Sequence, residues 1–233
     1  MRKLILFAVI LCLIAGCSKM GPRMMTGATN GEAALELGDI FLLEPDYQKA
    51  AAWYYKSAIQ NNAQGSHKLA DMYDTGTGVE LNHTEAAYWY KKGAERGYAP
   101  SQYKFALMSM EGDGVEQDYG EAAKWMSKAA SNGNPEAQKY LADFYKDGTG
   151  IKQSDKNAVK WYTKAAEQGN TDAQMILGDA YSAGLLSMKA DPVKSCVWLS
   201  VAGMDNRCAM LEPKDAAKAN KEAAAIMEKI AKQ

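Results

Sequence analysis

Five tryptophans recur at an almost constant interval. Trp53, Trp89, Trp125 and Trp161 stand 36 residues apart, and Trp198 follows 37 after the last. The text around them repeats as well: AAAWYYKSAIQNN, EAAYWYKKGAERG, EAAKWMSKAASNG, NAVKWYTKAAEQG and KSCVWLSVAGMDN. A period of this length marks an array in which one supersecondary unit is copied and stacked on itself.

Each unit reads as two helices. In PEAQKYLADFYK, Ala137, Leu141 and Tyr145 fall at i, i+4 and i+8, on one face of a helix. After Gly148 and Gly150, residues 155–168 carry a second stripe of Ala158, Trp161, Tyr162 and Ala165. Gly97, Gly133 and Gly169 lie eight residues past a tryptophan, where a left-handed residue can end a helix; Asn61 and Asn206 hold that place in the outer units. A single hairpin cannot bury both its apolar faces, whereas stacked neighbours merge them into one core. The expected fold is therefore an all-α, α/α solenoid of about five 36-residue hairpins over residues 32–208. The tryptophans belong to its core and do not form a binding ladder. Pro213 starts a last helix (residues 209–233) with an apolar stripe of Ala216, Ala219, Ala223, Ile226 and Ile230. It either caps the array or serves as an amphipathic partner-binding tail.

The first residues obey another logic. Arg2 and Lys3 precede an unbroken apolar run from Leu4 to Ala15. The run is too short to span a bilayer and reads as an export signal, residues 1–16. Leu13-Ile14-Ala15-Gly16-Cys17 resembles the lipobox of bacterial lipoproteins. That resemblance implies cleavage before Cys17, its modification by diacylglycerol and a fatty acyl chain such as palmitate, and a lasting membrane anchor. Ser18 in place of Asp favours the outer membrane, facing the periplasm. Residues 17–31 then read as the lipidated cysteine and a flexible tether. With 27 basic and 28 acidic side chains the chain shows no bias toward nucleic acid.

SHKLADMYDTGTGV, from Ser66 to Val79, and AQKYLADFYKDGTGI, from Ala137 to Ile151, together with the tryptophan blocks, resemble Sel-one-like repeats, a subgroup of the tetratricopeptide-type solenoids. The family pattern runs A-x-x-x-L-G-x-x-Y-x-x-G-x-G-V, then K-A-x-x-W-Y-x-K-A-A-x-x-G. The resemblance covers Glu32 to Asn206. It implies a protein-binding scaffold or adaptor serving envelope signalling, host interaction, motility or polysaccharide export. Three departures stand out. The first unit has a shorter connection, the third has Ser109 where Tyr is usual, and the last keeps only Gly184 of its glycine pair.

Cys12 lies in the signal and Cys17 takes lipid. Cys196 and Cys208 remain, and an oxidising periplasm favours a disulfide over two buried thiols. His67 and His83 lack partners at metal-ligand spacing and read as solvated, and no catalytic motif occurs. No enzyme activity, cofactor, metal or nucleic-acid partner is expected, and the solenoid is expected to be monomeric. A candidate partner-binding row comes from the first helices, which in such solenoids line the concave face. Asp39, Asp71, Leu107, Asp143 and Asp179 stand two residues past the core leucine position, with Met72, Met108 and Phe144 among those that follow. Such a face suits a peptide or helix with basic and apolar residues. The plainer alternative has the Asp residues merely solvated, and Met72, Met108 and Phe144 packed between units. Rival functions are a surface-exposed host-interaction or virulence factor and a cell-wall or β-lactam-binding protein. The latter is known for relatives with a cysteine pair in every repeat.

Overall fold

The computed structural model describes residues 30–232. The signal, Cys17 and the tether as far as residue 29 lie outside them. The described residues form eleven α-helices and one 3-10 turn, without strands: α1 (Asn30–Leu43), α2 (Tyr47–Ile59), α3 (Ala63–Thr75), α4 (His83–Glu95), α5 (Ala99–Glu111), α6 (Tyr119–Ser131), α7 (Pro135–Asp147), α8 (Asp155–Glu167), α9 (Thr171–Ala183), α10 (Pro192–Val201), the turn Asp205–Met210 and α11 (Pro213–Ala231). Each helix packs on the next, so the five hairpins stack as an all-α solenoid. The array begins earlier than residue 32. Asn30 already opens α1, and the Gly31 carbonyl accepts the Ser57 hydroxyl at 2.6 Å.

Local chemistry sets the helix ends. Asn62, Asn134 and Asn170 cap α3, α7 and α9, each side chain accepting a backbone N–H three residues on at 2.7–2.9 Å. Gly76, Gly112, Gly148 and Gly184 end the first helices in the left-handed region. The second glycine of each pair has a further duty. A Cβ at Gly78, Gly114 or Gly150 would come within 2.0–2.3 Å of the carbonyl oxygen of Tyr47, His83 or Tyr119. Each loop thus presses on the start of the preceding unit's second helix. The fifth hairpin has Leu186 and Ser187 at positive φ instead. There Ser187 donates to Asp155 at 2.5 Å and anchors the altered loop at the equivalent helix start.

The core follows the repeat. Ala86, Ala87, Ala122, Ala123 and Ala158 are sealed at helix contacts, where their small size lets backbones approach. Tyr54, Tyr90 and Tyr162 are buried, as are Trp89, Trp125 and Trp198. Trp53 and Trp161 are half-buried. Lys56, Lys128 and Lys164 lie over the rings of Trp53, Trp125 and Trp161 at 3.9, 3.9 and 4.3 Å. Each is a cation–π contact of about 0.5–1 kcal/mol at such exposed sites.

A polar ladder joins the units inside this core. Gln102, Gln138 and Gln174 are buried, and their amides donate to the carbonyls of Ala94, Ala130 and Ala166 at 3.0–3.2 Å. Those carbonyls sit at second-helix ends, where intrahelical donors run out. The Gln102 and Gln138 side-chain oxygens accept from Asn132 at 2.9 Å and Gln168 at 2.6 Å. In the second hairpin Ser66 and Arg96 make the corresponding link at 2.9 Å.

The C-terminal helix caps the array and is not a free tail. Cys196 and Cys208 form a disulfide with their Cα atoms 5.1 Å apart. Ala219 and Ala223 are buried against Cys196 and Val197. Farther along, Ile230 reaches Gly169, and Lys229 pairs with Glu167 at 3.6 Å. Gly203, with φ 80°, turns the chain after α10. Among the described residues no helix is long and apolar enough to cross a membrane.

Candidate binding surface

The first helices do not present the acidic row expected of them. Asp39 accepts the Tyr54 phenol at 2.7 Å, Asp71 accepts that of Tyr90 at 2.5 Å, and Asp143 accepts that of Tyr162. Three of the carboxylates therefore bind the second helix of their own hairpin, and burial followed by the carboxylate holds each phenol well above its ordinary pKa. Asp143 also faces Lys139 at 2.9 Å and Lys146 at 3.8 Å. Burial opposes the Lys139 charge, but the Asp143 contact outweighs it and Lys139 titrates above its usual value. Asp179 is exposed.

The neighbouring apolar positions follow the plainer alternative and not the binding row. Met72, Met108 and Phe144 are 4, 6 and 4 % exposed. They fill the contacts between units and offer nothing to a partner. The angle measured on one helix sets them on its far side from the core leucine, but a stacked helix has neighbours on more than one side.

On the first helices a partly accessible apolar surface lies one position earlier and one turn away. Leu107, with Tyr103 and Met110 on α5, Tyr140 on α7, and Met175 and Ile176 on α9, are half-buried. The Tyr103 and Tyr140 rings meet at 6.0 Å, linking successive first helices. Burial, with Tyr140, Glu136 and Glu111 adding to it, pushes the Tyr103 phenol up to about 12, so it stays neutral and can donate a hydrogen bond. Lys104 and Lys139 flank the aromatic pair in sequence, and each faces a carboxylate, Asp74 at 3.6 Å and Asp143 at 2.9 Å.

Both histidines depart from the solvated state. His67 exposes 13 % of its side chain, receives or donates a 3.1 Å bond with Ser101, and contacts the rings of Tyr90 and Tyr98. Burial lowers its pKa, although Asp71 at 3.6 Å opposes the shift. His83 is the first residue of α4, with Asp74 and Asp113 beside its ring. Linear spacing could not have found this group, because the three residues come from three separate turns of chain.

Known proteins place the fold in context. The chain aligns with the crystal structure of a protective antigen present in uropathogenic Escherichia coli strains and displaying an SLR fold, with 32% identity and a TM-score of 0.76 over 87% of this chain. It spans about half of that antigen, 46% of its length. A Sel1 repeat protein from Oxalobacter formigenes aligns with 26% identity and a TM-score of 0.71, covering 88% of both chains. No curated protein matches. The Sel1 repeat family model matches residues 31–62, 63–98, 99–134, 135–170 and 171–205, one block per helix hairpin. The chain belongs to the Sel1 repeat family.

Proposed function

We propose that this chain is a lipid-anchored envelope protein, held through Cys17 at the outer membrane and facing the periplasm. There it acts as a monomeric scaffold or adaptor for a protein or peptide partner. Sel1 repeat proteins mediate protein–protein interaction, and their scaffold is typically non-enzymatic. The observation that carries the reading here is the half-buried row of Tyr103, Leu107, Met110, Tyr140, Met175 and Ile176 on successive first helices. Such a row suits an amphipathic helix or extended segment whose apolar side chains dock on it. The lipobox ending at Cys17 supports the anchor, and the bonded Cys196 and Cys208 suit an oxidising compartment.

Photocrosslinking in cells tests the surface. A photoreactive residue at Leu107 should capture one dominant envelope protein, and one at Lys124, exposed on α6, should not. Equal capture at both positions, or none, would reject the first-helix face. The anchor has its own test: labelled palmitate should enter the wild-type chain and be lost with Cys17→Ala. The protective-antigen relative favours a second reading, display on the cell surface. In that case protease added to intact cells would degrade the solenoid, which a periplasmic protein survives.

A further inference from the structure

Where the second hairpin receives the loop of the third, three potential ligands converge. Asp74 lies in the last turn of α3, His83 starts α4, and Asp113 stands between Gly112 and Gly114 in the loop after α5. His83 Nδ1 lies 3.4 Å from Asp74 Oδ1 and 3.3 Å from Asp113 Oδ2, and the three ligand atoms all fall within 4.8 Å of one another. That nitrogen is sealed from solvent and makes no hydrogen bond, although it faces two carboxylates. A buried ring nitrogen that faces two carboxylates yet makes no hydrogen bond to either is uncommon, and an ion between them would account for it.

We propose that Asp74, His83 and Asp113 bind one zinc ion, which ties the second helix hairpin to the third. Donors held about 2.0–2.1 Å from a tetrahedral zinc stand about 3.3–3.4 Å from each other. The two imidazole–carboxylate separations match that edge, and they exceed the roughly 2.7–3.2 Å of a direct hydrogen bond. Neighbouring side chains orient Asp74 for ligation. Its other oxygen, Oδ2, faces Lys104 Nζ at 3.6 Å and the Tyr90 phenol at 3.4 Å, leaving Oδ1 toward His83. Such outer partners fix a ligand's direction. Asp113 is held close because Gly114 presses on the His83 carbonyl, where a Cβ would come within 2.1 Å. The side chains are 23, 40 and 42 % exposed for Asp74, His83 and Asp113, which leaves an approach for the ion and a fourth position for water.

The site is confined to one junction. The corresponding positions of the next junction are Met110, Tyr119 and Thr149, and those of the following one are Lys146, Asp155 and Leu185. The stoichiometry is therefore one ion per chain. Lys104 beside Asp74 weakens the site relative to a closed all-cysteine one, because its charge repels the cation.

Calorimetric titration of the full chain, first stripped with a chelator, should show one zinc per chain. Cobalt should give the absorption of a four-coordinate ion, and zinc should raise the melting temperature. His83→Ala should abolish the cobalt spectrum, and Asp113→Asn should weaken zinc binding at least tenfold, while Asp147→Asn binds as wild type. Asp113→Asn keeps the test readable if His83→Ala folds poorly, since the loop amide has the same shape; circular dichroism checks each fold. Absence of stoichiometric binding to the wild type would overturn the site. Binding unchanged in both variants, or lost instead in His67→Gln, would do the same.

Discussion

Tyr90 on α4 donates its phenolic proton to Asp71 on α3 across 2.5 Å, and the same bond joins Tyr54 to Asp39 and Tyr162 to Asp143. In the third hairpin both positions are apolar, Leu107 and Met126. The two sites change together there, whereas the fifth hairpin keeps Asp179 although Leu199 stands at the position of the tyrosine. A carboxylate facing a methionine would lose its donor, and a buried phenol facing a leucine would lose its acceptor.

Removing the hydroxyl should therefore cost stability. Tyr90→Phe is expected to lower the unfolding free energy by about 1–2 kcal/mol, the worth of a hydrogen bond to a charged group discounted for the partial exposure of Asp71. The double substitution Asp71→Leu with Tyr90→Met, which copies the third hairpin, should cost less than the sum of its single changes. Urea denaturation of the wild type, the two single variants and the double variant in a double-mutant cycle measures the coupling. Strict additivity would mean that the bond contributes nothing.

Two glycines at positive φ separate two penalties that usually act together. At Gly97, with φ 86°, an added Cβ meets nothing within 4 Å, so Gly97→Ala should cost about 1–2 kcal/mol from the left-handed backbone alone. At Gly114, with φ 66°, the same Cβ meets the His83 carbonyl oxygen at 2.1 Å. Gly114→Ala should then cost roughly 3 kcal/mol or more, in the range of severe lesions. Similar denaturation midpoints for the two variants would contradict close packing at the loop.

His67 should make stability depend on pH near neutrality. Burial lowers its pKa in the folded chain, so below about pH 6.5 the unfolded chain binds the proton first. Stability from this group is thus present above that pH and falls as the pH drops toward the folded value. Thermal melts between about pH 7.5 and 5.5 should show the loss in the wild type and a flatter profile in His67→Gln. Parallel profiles would mean that the ring is not held neutral.

Reduction should act on one end of the molecule. The loop closed by Cys196 and Cys208 has a sequence separation of 12, worth about 3 kcal/mol in the chain-entropy model. With a reductant, amide exchange should accelerate in α11 and α10 while α3 to α6 stay protected. Uniform acceleration along the chain would show that the bond stabilises all hairpins alike.

Much of this architecture is legible in the residues alone. The tryptophan period marks the five hairpins, and the small residues around it mark the close contacts. Partner choice across helices is harder to read. The helical angle that sets Asp71 and Met72 away from the core describes only α3 and ignores α4 and the adjoining units. Yet the joint change from Asp71 and Tyr90 to Leu107 and Met126, each pair 19 residues apart, is visible in the text. The group of Asp74, His83 and Asp113 leaves no such trace, because it occurs at a single junction.

The glutamine ladder has a bearing on how such molecules originate. Gln138 and Gln174 present the same amide to the same kind of carbonyl, Ala130 and Ala166, at the same 3.0 Å. A gene duplication that inserted another copy of residues 135–170 would set a new Gln138 beside the Ala166 carbonyl and so repeat this bond at the new seam. That link would need no new residue on either side. Repeat number is thus open to inheritance by simple copying, and descendants can differ in reach without relearning how to fold.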